Sequence, residues 1–166
     1  MFDNNYRSMA SNLRYQLLLK GKVKEVVIDS PFGHVNGYII RATKKKQTLV
    51  EAAREADIRE VAEVAAALES RYKIRRFAYL HMITIDEEHQ SKGLGGDMLR
   101  AFIRHVKRHQ AQAIILRATP HYIRNFQRLY SFYFRAGFRR RDSSHPTEME
   151  MLLENLEPAV AQTPRK

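Results

Sequence analysis

Ile83-Thr84-Ile85-Asp86-Glu87-Glu88-His89-Gln90-Ser91-Lys92-Gly93-Leu94-Gly95-Gly96 decides the fold, because a β-branched apolar run gives way to a polar turn and then to glycines that open a helical pattern. Residues 77–85 (FAYLHMITI) carry apolar side chains on both faces, which predicts a strand in the middle of a sheet. Beyond the glycines Leu94, Met98, Phe102 and Val106 form one stripe with Leu99 and Ile103 beside it, while Arg100, Arg104, Lys107 and Arg108 take the opposite face. A helix starts there. Its first backbone N–H groups have no partner within the helix, and glycines let the main chain curl around an anion that the helix dipole also favours. Lys92 adds a mobile positive charge. The residues therefore read as a phosphate or pyrophosphate cradle, or else as a glycine-rich turn that serves only the reversal of the chain.

Two other phosphate motifs fail letter by letter. The dinucleotide fingerprint G-x-G-x-x-G needs a glycine where Met98 stands, and no G-x-x-x-x-G-K-[ST] run exists.

Outward from this junction, residues 112–118 (QAIILRA) predict a second central strand and residues 123–136 an aromatic-rich helix that Gly137 stops. Residues 138–141 and 148–153 can pair as closing strands around the polar turn 142–146. Toward the N-terminus, residues 22–29 and 35–41 read as a hairpin about Ser30-Pro31-Phe32-Gly33. Ile58, Val61, Ala62, Ala65 and Leu68 predict one long amphipathic helix over residues 48–71, and Leu13, Leu17 and Leu18 an opening helix over residues 6–19.

The chain has 166 residues, 44% of them apolar and 28% charged, the size of a single domain, expected over residues 1–156 with a flexible tail at 157–166. It has no cysteine, which excludes disulfides, thiolate metal sites and cysteine nucleophiles. The longest unbroken apolar run, Val64 to Leu68, is far short of a bilayer span, and MFDNN at the start is no signal peptide, so a soluble cytoplasmic protein with no membrane partner is expected.

Charge is unevenly placed. Lys and Arg exceed Asp and Glu by 29 to 18, a net +11, yet residues 47–70 hold six acids against Arg54 and Arg59. The rest of the chain favours phosphates, nucleic acid or acidic proteins and repels polycationic small molecules. Arg71, Lys73, Arg75 and Arg76, and Arg139 to Arg141, are the densest basic runs. His105 and His109 lie four apart, but Val106 occupies the place of the metalloprotease glutamate and Lys107 and Arg108 repel cations, so no metal is expected.

Gln90, Gly93 and Gly95 meet the Q/R-x-x-G-x-G/A signature of the GNAT N-acetyltransferase superfamily, and the chain resembles that family over residues 77–140. Residues 83–89 look like the family's strand and lead-in, and Tyr133-Phe134-Arg135-Ala136-Gly137-Phe138 like its Y-x-x-x-G-F segment. The resemblance implies a single-domain α/β fold, a mixed sheet splayed open between strands 77–85 and 112–118 and flanked by helices, with acetyl-CoA in the gap. It implies that strand backbone at Ile83 and Ile85 holds the pantetheine arm and that Gln90, Ser91, Lys92, Gly93, Leu94, Gly95 and Gly96 hold the pyrophosphate. The activity implied is N-acetyl transfer to a primary amine by direct attack.

Tyr133 matches the family's general acid, with Tyr130 as a rival and burial in the core as the plainer role for both. His81, expected on the same strand face as Ile83 and Tyr79, is the candidate to relay the amine's proton, or else a histidine satisfied within the core. The acceptor expected is a protein amine, on an acidic protein, or an aminoacylated RNA; the competing reading is a nucleic-acid-binding or regulatory protein on the same scaffold without catalysis. A homodimer is possible through the long helix. Phe126 stands where many relatives carry an asparagine, and the acidic helix at 48–71 is out of the family's usual order.

Overall fold

The computed structural model describes residues 13–20, 22–119, 126–140 and 145–159. Among them seven strands form one sheet: β1 (Arg14–Lys20), β2 (Val23–Ser30), β3 (Gly33–Arg41), β4 (Arg76–Ile85), β5 (Ala113–Arg117), β6 (Arg139–Arg140) and β7 (Glu148–Leu152). Their order is β1-β2-β3-β4-β5-β7-β6, and neighbours run antiparallel except for β4 and β5. The parallel pair needs a crossover, which α3 (Leu94–Arg108) supplies. The remaining helices are α1 (Leu49–Ala53), α2 (Arg59–Arg71) and α4 (Phe126–Ala136).

Period-two alternation divides β4 between two cores. Ala78 and Leu80 face α3 and α4 with Met98, Leu99, Phe102 and Tyr133, while Phe77 and Tyr79 face α1 and α2 with Leu49, Val61 and Leu68. The sheet is thus covered on both sides, as the mixed apolar character of residues 77–80 requires.

Two expectations from the sequence are corrected. The opening helix is a strand over its second half, since residues 14–20 pair with β2 along seven positions, from Arg14↔Asp29 to Lys20↔Val23. Consecutive leucines at 17–19 suit either period, and an available sheet edge overrides local propensity. Residues 6–12 of that predicted helix lie outside the described residues.

The long helix over 48–71 is also not continuous. Thr48 opens α1 with a capping box, in which its hydroxyl accepts from the Glu51 N–H and the Glu51 carboxylate accepts from the Thr48 N–H. A single turn of 3₁₀ helix, Arg54–Ala56, then ends at Asp57, whose φ of 55° is left-handed, and Ile58 is extended before α2 begins. Aspartate tolerates that conformation better than most residues. The break lets both helices bury a short apolar face on the same side of the sheet.

Sheet closure matches the expected hairpin, with β6 and β7 pairing at Arg139↔Glu150 and Arg140↔Met149. Gly137 ends α4 at φ +108°. Residues 157–159, assigned to the tail by the sequence, are tied down: the Lys73 N–H donates to Glu157 O at 2.8 Å and the Ala159 N–H to Arg71 O at 2.8 Å. No helix of the described residues is long and apolar enough to cross a membrane.

Candidate active site

The β4–β5 ladder stops early. Pairing runs from Phe77↔Ala113 to Leu80↔Leu116, whereas β4 continues to Ile85 and stays paired with β3 as far as Gly33↔Ile85. From residue 81 onward one backbone edge of β4 pairs with no described strand on the side from which β5 has departed. Such an edge can bond to the amides of an extended ligand.

At the splay the β3–β4 register shifts. Asn36 faces Met82 and Gly37 faces Leu80, so His81 is an extra residue in β4. The bulge corrects the expectation that His81 and Ile83 share a face. Ile83 and Ile85 continue the row of Ala78 and Leu80 toward α3, while the His81 ring lies 6.3 Å from Tyr79 and 6.2 Å from Tyr38. His81 is exposed, not enclosed in the core.

The loop after β4 brings the glycines together with the start of α3. The Gln90 side-chain amide donates to Ile85 O at 3.2 Å, and Ser91 adopts a φ of 63°. Gly93, the residue before the first helical turn, has φ +78° and nothing within 4 Å of where a β-carbon would stand. No side chain caps the helix, and its first internal bond is Asp97 N–H to Gly93 O at 3.2 Å. The N–H groups of Leu94, Gly95 and Gly96 are thus left without a partner in the helix, while the Leu94 side chain is buried in the core. The open space at Gly93 is bordered by donors that the helix itself does not use, which fits a phosphate group.

Beside the cradle, a cleft of about 690 Å³ runs between α3 and α4, lined by Gly93, Gly96, Arg100, Arg128, Phe132 and Arg135 among others. Arg128 donates to Ser91 Oγ at 3.3 Å and so leans over the loop. Lys92 is exposed at the rim. The three arginines were not singled out from the sequence, where only Arg100 read as a solvent-facing charge. Their signal is spacing, since Arg100 follows Gly93 by seven residues and Arg135 follows Arg128 by seven, two helical turns in each case.

Tyr133 comes from α4 and is 8% exposed. Phe132 and Phe138 meet its ring edge-on at 5.1 and 5.8 Å, and no described residue bonds to its hydroxyl. Burial pushes that hydroxyl up to about 12, so it keeps its proton at neutral pH. Tyr130 is only partly buried, packs at the margin of the same core and stacks between Phe126 at 6.4 Å and Phe134 at 6.0 Å. Of the described tyrosines in α4, Tyr133 alone belongs to the core beside the splay.

The opposite mouth of the splay, toward α2, holds a buried charge network. Arg117 is the first β5 residue past the last rung shared with β4, and it pairs in register with Glu148 of β7. Glu148 and Glu150 are each 3% exposed. Arg71 reaches Glu150 at 2.8 Å, the Tyr72 hydroxyl donates to Glu150 at 2.8 Å, and Arg117 reaches Glu63 at 2.9 Å. Tyr79 donates its hydroxyl to Glu60 at 2.9 Å. Burial pushes the Glu148 carboxyl above its ordinary range, against the opposing pull of Arg71 and Arg117.

His105 and His109 have rings 4.6 Å apart, and no group of three or more metal-ligating side chains occurs among the described residues.

Residues 41–152 match the acetyltransferase (GNAT) domain family. No curated protein matches the sequence. Solved structures with a related fold include a mosquito arylalkylamine N-acetyltransferase (15% identity, 80% of this chain and 75% of that one, TM-score 0.49). An acetyltransferase of Thermus thermophilus aligns at 16% identity over 85% of this chain and 67% of its own, with TM-score 0.45. A GNAT acetyltransferase of Brucella melitensis, solved with acetyl-CoA, aligns at 13% identity over 81% of this chain and 61% of its own, with TM-score 0.43. With the matched region covering most of its length, the chain belongs to the GNAT acetyltransferase family.

Proposed function

We propose that this protein transfers the acetyl group of acetyl-CoA to a primary amine by direct attack, the acceptor being a protein amine or an aminoacylated RNA. One observation carries the reading: beyond Leu80 one edge of β4 pairs with no described strand, and Ile83 and Ile85 on it share one apolar cluster with Leu94 of the cradle and with Tyr133. The N–H groups of Leu94, Gly95 and Gly96, with Gln90, Ser91 and Lys92 around them, hold the pyrophosphate, and Arg100, Arg128 and Arg135 neutralise it. The backbone at Ile83 and Ile85 holds the pantetheine arm as a further strand would be held.

Acetyl-CoA supplies the thioester carbonyl that the amine attacks. Tyr133 keeps its proton well past neutral pH and hands it to the departing sulfur, whose anionic form the same apolar walls disfavour. His81, exposed on the other side of the bulge, takes the amine's proton through water. The net charge of +11 disfavours polycationic acceptors and suits acidic ones.

The test is transfer of label from acetyl-CoA into cell extract, reading protein, RNA and small molecules separately. Label in protein or RNA, dependent on Tyr133, is the expected result. Transfer at the same rate by Tyr133→Phe, with chemistry shown to limit the rate, removes Tyr133 from its role.

A further inference from the structure

At the end of the sheet away from the splay, β2, β3, β4 and the C-terminus of α3 enclose a second cleft of about 370 Å³. The fifteen residues of α3, at about 1.5 Å each, hold it roughly 20 Å from Gly93. Lys22, Lys24, Arg41, Arg76 and Arg108 line it, and no carboxylate does among the described residues.

This concentration of charge is costly for the fold. Arg41 and Arg76 stand directly opposite each other in the β3–β4 ladder, where like charges destabilise a sheet. Arg76 is fixed in place, its Nη1 donating to His109 O at 2.5 Å and to Gln110 Oε1 at 3.1 Å. Of the five cations Lys22 meets an acid, Glu55, at 3.3 Å. Lys24, Arg41 and Arg108 reach no carboxylate among the described residues. Burial, and then the neighbouring Lys24 and Arg76, lower the proton affinity of His109, as a positive field must.

The dipole of α3 favours cations at its C-terminus, which accounts for Arg108 and His109. It does not account for Lys24 and Arg41, which arrive on strands. Nor does the charge end at the cleft, since Arg104, Lys107 and Arg108 are exposed at three- and four-residue steps along α3. A single small anion has no use for that continuation, whereas a chain of phosphates does.

We propose that this cleft and the adjoining face of α3 dock the phosphodiester backbone of a single-stranded nucleic acid. The site shares no residue with the Gly93 cradle and does not depend on the acetyltransferase reading. Phosphate contacts of this kind position a strand without reading its sequence.

Fluorescence anisotropy of labelled single-stranded RNA and DNA oligonucleotides, titrated with the full chain at several salt concentrations, tests it. The triple variant Lys24→Gln/Arg41→Gln/Arg108→Gln should bind at least about tenfold more weakly, with a log–log salt slope shallower by about 2, or about 0.7 for each lost contact. A charge-matched control, Arg54→Gln/Lys73→Gln/Arg140→Gln, should bind nearly as wild type. The first variant should melt at or above the wild-type temperature, because it removes the like charges crowded at the Arg41–Arg76 rung, and the control close to it; both should keep their affinity for CoA, which separates this test from the fate of the cradle. Unchanged oligonucleotide affinity in the first variant overturns the proposal. So does displacement of the strand by saturating CoA, by tripolyphosphate at equal phosphate concentration, which would indicate a small-anion site, or by poly-glutamate of equal charge, which would indicate an acidic protein.

Discussion

The carbonyl oxygen of Tyr79 lies 2.6 Å from where a β-carbon on Gly37 would stand, with the Phe102 ring as close on the other side. Main chain and a buried aromatic therefore meet at the rung where the β3–β4 register shifts, the rung that decides where His81 points. Glycine is required there for space.

Gly37→Ala should cost about 1–3 kcal/mol of stability, the range for overpacking a filled interior. Because the shift relocates the bulge, turnover should fall as well. Chemical unfolding and steady-state rates on the same preparation check both, and a fully stable Gly37→Ala protein would show that the contact can relax.

Tyr133→Phe should lower turnover by on the order of 10²-fold, the scale of general acid catalysis, and leave the affinity for acetyl-CoA close to wild type. Stability should change little, because the hydroxyl has no bonding partner among the described residues. Steady-state kinetics and thermal melts read the two effects separately.

Arg128→Gln removes a cation that leans over the Gly93 loop through Ser91 Oγ. The KM for acetyl-CoA should rise about tenfold, equivalent to about 1.4 kcal/mol, with turnover at saturation nearly unchanged. A fall in turnover at unchanged KM would place Arg128 in the chemistry and not in binding.

Glu148 gives a pH signature. Its folded-state carboxyl is raised above the ordinary value, so the native protein holds a proton that the unfolded chain releases. Its contribution to stability consequently falls as pH rises from the ordinary carboxylate value through the folded one, and is level thereafter. Glu148→Gln should remove that slope and be more stable than wild type at neutral pH, since Arg71 keeps Glu150 and Arg117 keeps Glu63. Melting temperatures of both proteins from pH 4 to 8 check the sign; a wild type that gains stability relative to the variant as pH rises would reverse it.

What could be read from the sequence is what local periodicity encodes. Strands β2 to β5 and helices α3 and α4 carry their apolar residues at the spacing that burial later uses, and the glycines at 93, 95 and 96 announce the cradle by their place between a strand and a helix. Strand β1 was not legible because leucines at 17–19 fit a helix equally well and the β2 edge makes the choice. The break at Asp57 has no glycine or proline to mark it. His81 was misplaced because a bulge belongs to a pair of strands, here at the β3–β4 register shift between Asn36 and Gly37, and not to the spacing of one. Arg100 read as surface charge and Arg128 and Arg135 were given no role, and only the packing of α4 against α3 makes the three of them walls of one cleft.

Isothermal titration of CoA into the folded protein at modest ionic strength tests whether the Gly93 cradle holds a pyrophosphate. One binding event per chain is expected in wild type and none in Gly93→Glu, whose carboxylate would occupy the open space at φ +78° while circular dichroism shows the fold intact. Absence of heat with folded wild-type protein, or equal heat with Gly93→Glu, would contradict it.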